Sequence, residues 1–534
     1  MFEEWEVGDI TVRTERSFTS IPGIRVPVEQ LKEPLDYLNL FIKDDDYDEI
    51  ATETNRYADE FLQQNHELLK PKSRFWHWCA TSGKEIKVFL ALTIAMGLIV
   101  MQDVQDYWST DPVMVTSFFP SVMSRDGFLI LISNNAEYVA RGVPGYNPVR
   151  KLGCVFINVI SRFGSVFVPN RYLSLDEGMI PWRGKLSFRV YNPDKPIKYG
   201  IKSYMVCDST KGYCSKFQLY IGKSNIPASE NGKTYDLAMD MMCNFFGQGY
   251  TLFMDSYYSS PRLFLDLWEL GTSAIGTVRS TRRGIPQTLK DKKLTVRQET
   301  YTMHTGPLVA MKYKDKKQVI LLGTAGTVQN VQTGKSDPKT GLAIERPDIV
   351  NLYDKYMGGV DRSDQMVSYQ CFNSRTLKWW KKVFFHMLNL TVLNAYIIYK
   401  ISSPDVVKMH QHVFRRKLIS QIVQTAGYVA EIKRGRTRPS GKVLMRLEGQ
   451  HFVCKMINEN SDYNQKMCAV CGPAEKQILA SKGMQKRRAW KTTAMKCRQC
   501  DVPLCVTPCF EIYHTKKEYI LAYKRMRLAQ NNDE

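Results

Sequence analysis

"RYLSLDEGMIPWRGKLSFRVYNPDKPIKYGIK", residues 171–202, begins as an alternating strand, Tyr172 to Leu175, that is expected to stop on two acids, Asp176 and Glu177. Trp182, Arg183 and Lys185 follow within a few residues. A strand on its own needs no such order of charges. A carboxylate at a strand end, ringed by cations in a chain of formal net charge +21, suits a site where acids hold a metal and bases hold a polyanion.

The period-two pattern continues after this stretch. KLSFRVY, IKSYMVCDS and SKFQLYIG alternate, with turn residues between them, which predicts three or four antiparallel strands. TYDLAMDMMCNFFGQG reads as a helix stopped by Gly247 or Gly249. YTLFMD, Tyr250 to Asp255, is a strand. A helix follows it, with Ser260 as N-cap, Pro261 at its first position and Gly271 past its end. SAIGTV is the last strand of the unit, so residues 171–280 predict a mixed α/β sheet.

The flanks are helical. ETNRYADEFLQQN and SRDGFLILI show helical spacing, and RPDIVNLYDKYMGGVDRSDQM and LKWWKKVFFHMLNLTVLNAYIIYK return to it. VFLALTIAMGLIVM, Val88 to Met101, is too short to span a bilayer. It reads as a core helix opened by Ser82 and Glu85 at capping-box spacing. MFEEWEVGDI lacks an apolar signal region, so a soluble intracellular protein with no membrane partner is expected.

The expected divisions are a loose tail over 1–30, a helical segment over 31–170 and a core sheet over 171–280. An insertion over 281–344, a return to the core over 345–370 and a second helical segment over 371–430 follow. A basic linker over 431–460, a cysteine-rich unit over 461–520 and a tail over 521–534 complete the 534 residues. Lys plus Arg number 74 against 53 Asp plus Glu, with a pI near 9.3. That excess favours a polyanion, most commonly nucleic acid, over a merely soluble basic protein.

Asp176 and Asp255 each end a strand. If those strands are neighbours, both acids project from one sheet edge, where ligands of open α/β sheets sit. Asp361 and Asp364 are three apart and share one helix face, and Gly358–Gly359 is expected to give a tight turn into that helix. Such carboxylates suit Mg²⁺ or Mn²⁺, and two ions would clamp both oxygens of a phosphodiester. Asp residues at strand ends and helix starts also cap turns, and Asp208 in VCDSTKG is read that way.

LSLDEGMIPWRGKLSFRVYNPDKPIKYGIK, FMDSYYSS, and YMGGVDRSDQM followed by LKWWKKVFFHMLNLTVLNAYIIYK resemble the piggyBac transposases and the proteins derived from them. The resemblance runs from about residue 35 to the end. It implies an RNase H-like α/β catalytic core with an inserted domain, flanked by helical dimerisation and DNA-binding segments. It implies Asp176, Asp255 and Asp361 as catalytic acids that hold Mg²⁺, with Asp364 in support. The reaction implied is excision through hairpin ends and insertion at TTAA by a nuclear homodimer bound to terminal repeats. Arg183 and Lys185 match cations that approach target DNA, and Trp379 matches a tryptophan near DNA.

Of thirteen cysteines, six lie between Cys468 and Cys509. Cys468, Cys471, Cys497, Cys500, Cys505, Cys509 and His514 are zinc ligands by their spacing. Four complete one site and three begin a second, so two Zn²⁺ ions are expected. His451, Cys454, Glu475, Asp501 or water is left to complete the second. The resemblance implies a cross-brace zinc domain that binds the transposon end. Residues 482–498 carry seven cations and no acid, and Arg487, Arg488 and Lys491 are its expected DNA contacts. The other seven cysteines are expected to be mostly small buried hydrophobes.

The leading expectation is thus a DNA-cutting and strand-transferring enzyme. A domesticated DNA-binding descendant, a RING-like interaction module and a general Mg²⁺ nuclease are the alternatives.

Overall fold

Residues 172–181 form one ten-residue strand at the centre of the sheet that carries the acids. The computed structural model describes residues 4–9, 16–70, 73–131, 143–193, 195, 197–222, 228–336, 341, 343–372, 376–402, 409–427, 451–456, 465–481 and 492–530. The chain divides into two units, 1–430 and 431–534.

The first unit begins with two short strands, β1 (Glu6–Val7) and β2 (Gly23–Ile24). β1 pairs with Met303 and His304 at a sheet edge, and β2 pairs with β3 (Phe167–Val168). Arg16 lies 4.2 Å above the Trp268 ring and donates to the Trp268 carbonyl. The expected loose tail is therefore tied down in its described part, because a sheet edge offers unpaired main-chain groups.

Helices α1 (Pro34–Leu38), α2 (Asp44–Asn65), α3 (Gly83–Met96), α4 (Phe118–Val122), α5 (Arg125–Ile130) and α6 (Gly153–Val166) follow. Ser82 caps α3 by accepting from Glu85 N. Phe89 and Leu90 of α3 enter one core with Phe385 and Leu388 from the second helical segment. Two stretches far apart in sequence so build one helical body against one face of the sheet.

That sheet contains β4 (Tyr172–Pro181), β5 (Arg189–Tyr191), β6 (Tyr199–Asp208) and β7 (Cys214–Leu219). After α7 (Lys233–Met242) come β8 (Thr251–Met254), α8 (Pro261–Glu269) and β9 (Ser273–Val278). β4 has antiparallel β6 on one side and parallel β8 on the other, with β9 parallel to β8. Antiparallel strands first and parallel strands after, around a central first strand, are the RNase H-like order. β4 does not stop at Asp176: its pairing with β6 continues to Pro181↔Gly200. KLSFRVY yields only the three residues of β5, because Phe188 turns into the helical core beside Trp379.

The insertion does not fold apart from the sheet. After α9 (Gln287–Asp291), β10 (Thr300–Thr305), β11 (Leu308–Lys314) and β12 (Gln318–Gly323) extend it antiparallel beyond β9. β13 (Asn330–Ser336) and β14 (Ala343–Pro347) pair separately. Helices α10 (Asp348–Tyr356), α11 (Gly359–Ser368), α12 (Trp379–Ser402) and α13 (Gln411–Thr425) complete the unit.

The second unit holds β15 (Val453–Lys455) paired with β18 (Met495–Cys497), and β16 (Lys466–Met467) paired with β17 (Thr492–Thr493). Its helices are α14 (Cys471–Ser481), α15 (Cys509–Thr515) and α16 (Tyr519–Gln530). The expected tail after 520 is mostly helix, and Tyr523 is buried in this unit's core. The basic stretch Lys433 to Lys442 lies outside the described residues. Among the described residues no helix is long and apolar enough to cross a membrane. Of the seven scattered cysteines only Cys207 and Cys214 are buried, while Cys79, Cys154 and Cys243 are exposed.

Candidate active site and metal centres

Strand register places the first two acids. The parallel ladder runs from Tyr172↔Thr251 to Leu175↔Met254, so the next residue on each strand is Asp176 and Asp255. Alternation sends Leu173, Leu175, Leu252 and Met254 into one core. Phe253 takes the opposite face, and Asp176 and Asp255 follow it there by the same period. Tyr356 of α10 covers that face, 4.2 Å from the Tyr172 ring and 5.5 Å from the Phe253 ring.

Helix α11 adds Asp361 and Asp364. It lies so close to β4 that a Cβ on Gly359 would overlap the Ser174 hydroxyl and come within 2.9 Å of Ser209 Cα. A Cβ on Gly178 would likewise meet Asp364 Oδ2 at 3.3 Å and Ser203 Oγ at 2.9 Å. Close approach, not a tight turn, is thus the reason for Gly359, and Gly358 has an ordinary φ of −77°. The approach lays Asp364 against β4. Asp361 stands further out, its side chain 71% exposed and 3.8 Å from Lys195 Nζ.

The carboxylates carry an electrostatic burden. Burial pushes Asp176 up to about 7, against the pull of the Lys195 ammonium. Burial does the same to Asp364, also to about 7, and raises Asp255. Burial would lower Lys195, but Asp176 and Asp361 hold it above the ordinary lysine value. Buried oxygen donors short of positive charge suit a hard divalent cation. Glu177 differs: burial would raise it, yet Lys202, 3.0 Å away, keeps it below the usual range.

Lys195 and Tyr353 belong to this region, and no local pattern in the sequence marks them. Tyr353 of α10 is pushed up to about 12, first by burial and then partly by Asp255 and Asp176. Lys195 is one lysine among many in a basic chain, so no spacing marks it. Asp208, by contrast, is a turn cap: its oxygens accept from Thr210 N, Lys211 N and Asn170 N at 2.8–2.9 Å.

Arg183 and Lys185 are exposed on the loop after β4. Arg189 donates to the Arg183 carbonyl at 2.8 Å, shaping that loop. Trp379 packs edge-on against Phe188, ring centres 5.2 Å apart, within the helical core. Arg487, Arg488 and Lys491 lie outside the described residues.

In the second unit eight ligands gather into two sets. Cys468, Cys471, Cys505 and Cys509 form one; His451, Cys497, Cys500 and His514 form the other, each with its donor atoms within 4.8 Å of one another. His451 stands with Cys497, Cys500 and His514 as the eighth residue, and Cys454, Glu475 and Asp501 are in neither set. The sets interleave along the chain, as in a cross-brace. Zn–S bonds of about 2.3 Å in a tetrahedron imply S···S edges of about 3.8 Å. Cys471 and Cys505 are 3.9 Å apart, and Cys500 Sγ lies 3.5 Å from His451 Nδ1 and 3.6 Å from His514 Nε2. His514 Nδ1 meets the Phe510 carbonyl at 2.7 Å, leaving Nε2 for the metal. The donors fit two zinc ions.

The sequence model of the family described as Transposase IS4 matches residues 33–396, and that of a DDE_Tnp_1-like zinc finger matches 446–515. PiggyBac transposable element-derived protein 3 of Homo sapiens is 24% identical over 529 residues, 96% of this chain and 81% of that protein. PiggyBac transposable element-derived protein 2 of Homo sapiens is 23% identical over 418 residues, 75% of this chain and 67% of that protein. A cryo-EM structure of the piggyBac transposase synaptic complex with hairpin DNA has the same fold. Its TM-score is 0.66 at 23% identity, over 91% of this chain and 98% of that one. With a family match spanning most of the chain and a second over its cysteine-rich unit, this chain belongs to the Transposase IS4 family and carries piggyBac-type transposase domains.

Proposed function

We propose that this protein is a cut-and-paste DNA transposase that excises an element through hairpin ends and joins it to TTAA targets. The parallel register that sets Asp176 beside Asp255, with α11 laying Asp364 against β4 and holding Asp361 further out beside Lys195, carries this reading. Asp176, Asp255 and Asp361 would hold Mg²⁺ or Mn²⁺, which when bound supplies positive charge to the phosphodiester oxygens. Asp364 lies against β4 and supports that set. Arg183 and Lys185, exposed on the loop after β4, would hold phosphates beside the acids. Water opens the first strand, and the freed 3′-hydroxyl attacks the opposite strand and later the target.

The net charge and the interleaved zinc sets support double-stranded DNA as partner, with the second unit on the terminal repeats. The hairpin DNA in the solved neighbour supports the same choice. Holding two ends together calls for a homodimer, and chromosomal DNA places the work in the nucleus. The test is excision of a marked element carrying the protein's own ends, native chain against Asp255→Ala. Seamless repair at TTAA with the native chain alone is expected. The names of the human relatives, "transposable element-derived", favour a second reading, a DNA-binding descendant that no longer moves DNA. Terminal-DNA binding without excision by either chain would select it.

A further inference from the structure

The last pair of the parallel ladder is Leu175 with Met254. Beyond it β4 runs on beside β6, while β8 ends. Asp176 and Asp255 therefore stand one residue past the point where main-chain hydrogen bonds set their separation. Each carboxylate is held by its own backbone: Asp176 Oδ1 accepts from Glu177 N at 2.7 Å, and Asp255 Oδ1 from Tyr257 N at 2.9 Å. A side-chain bond joins the two backbones across the gap. Tyr258 Oη donates to Glu177 Oε2 at 2.8 Å.

Alternation turns Glu177 to the face opposite Asp176, where Tyr258 is 1% exposed in the core with Leu173 and Leu175. The other Glu177 oxygen accepts from Lys202 Nζ at 3.0 Å. That ammonium also lies 4.5 Å from the Tyr257 ring and 5.1 Å from the Tyr204 ring. On the far side, Arg282 Nη2 donates to the Ser256 and Tyr257 carbonyls at 2.7 and 2.8 Å, which steadies the segment without tying it to β4. A buried acid is costly unless paired and hydrogen-bonded, and an apolar pair would fill the space more simply.

We propose that Glu177, Tyr258 and Lys202 form a positioning strap that sets the separation of Asp176 and Asp255, so that their hold on a divalent cation depends on it. The strap rests on the metal reading above and adds residues that touch neither cation nor DNA. Outer partners of metal ligands change affinity about 10- to 100-fold.

The experiment uses the full chain, native and as Tyr258→Phe, Glu177→Gln and Asp255→Asn. Mn²⁺ titration followed by electron paramagnetic resonance is paired with amide hydrogen exchange. Tyr258→Phe is expected to weaken Mn²⁺ binding about tenfold and to speed exchange over 255–260, with β4 and β8 still protected. Glu177→Gln, whose amide oxygen still accepts from Tyr258, is expected to keep more affinity. Native exchange over 255–260 in Tyr258→Phe overturns the strap. Faster exchange with native Mn²⁺ affinity overturns its role in holding the cation. An Asp255→Asn chain that binds Mn²⁺ as the native chain does overturns the metal reading itself, and the exchange pattern then judges the strap alone. Should Tyr258→Phe lose its fold, Glu177→Asp keeps the charge, shortens the reach and gives the same two readouts.

Discussion

Asp208 is fully buried, and its two oxygens accept five hydrogen bonds from Asn170, Thr210 and Lys211. Asp176, on the paired strand β4, accepts one from Glu177 N and carries the burden of burial instead. The two residue contexts predict opposite phenotypes. Asp208→Ala would leave several donors unpaired and cost about 3 kcal/mol, seen as a lower urea midpoint, with DNA cleavage falling only with the folded fraction. Asp176→Asn removes a charge that burial disfavours, so it is expected to raise the midpoint and to lower cleavage at least about a hundredfold, since metal-borne charge stabilisation is worth several kcal/mol. The sequence marked both acids as strand-end residues, and turn spacing correctly separated Asp208. Lys195, Tyr258 and His451 carried no comparable local signal, because their partners lie far away in the chain.

At the scale of elements, α11 and α12 make different demands. Gly359→Ala would push α11 away from Ser174 and Ser209, at a cost of about 1–3 kcal/mol for overpacking. Asp364 would move with the helix, so single-turnover cleavage is expected to fall by more than the stability loss explains. On α12, His386 is half-buried as a residue, and its Nε2 is enclosed without a hydrogen-bond partner among the described residues. Burial therefore pushes His386 down to about 4, from 6.5. Between those values the unfolded chain takes up a proton that the folded chain refuses, so stability falls as pH drops through that window. The effect reaches up to about 3 kcal/mol. From pH 7 to 4 the urea midpoint of the native chain is expected to fall relative to that of His386→Leu, a difference from which the opposite response of the raised Asp176 and Asp364 drops out. The helices themselves were legible from Ser82, Ser260 and Pro261. Their closeness to the sheet was not, since Gly359 acts by what it lets approach.

Across the whole molecule, two units of different chemistry predict separable melting. A zinc chelator is expected to unfold the Cys- and His-bearing part of the second unit while the first unit melts unchanged, as differential scanning calorimetry would show; structural zinc sites contribute folding energy directly. A single transition shifting as one would refute that independence. By itself the sequence determined Asp255 at the end of β8, the i, i+3 pair on α11, the caps of α3 and α8, and seven of the eight Cys and His residues that gather into two sets. Those features depend on periods and spacings within a few residues, which local physics fixes. Only the tertiary structure decided that the N-terminal residues pair with a sheet edge, that the insertion extends the core sheet and that His451 completes the second zinc set. It alone brought α11 onto β4 and Tyr258 to Glu177. Those outcomes depend on strand register and on distant side chains sharing one core, and no local spacing encodes either.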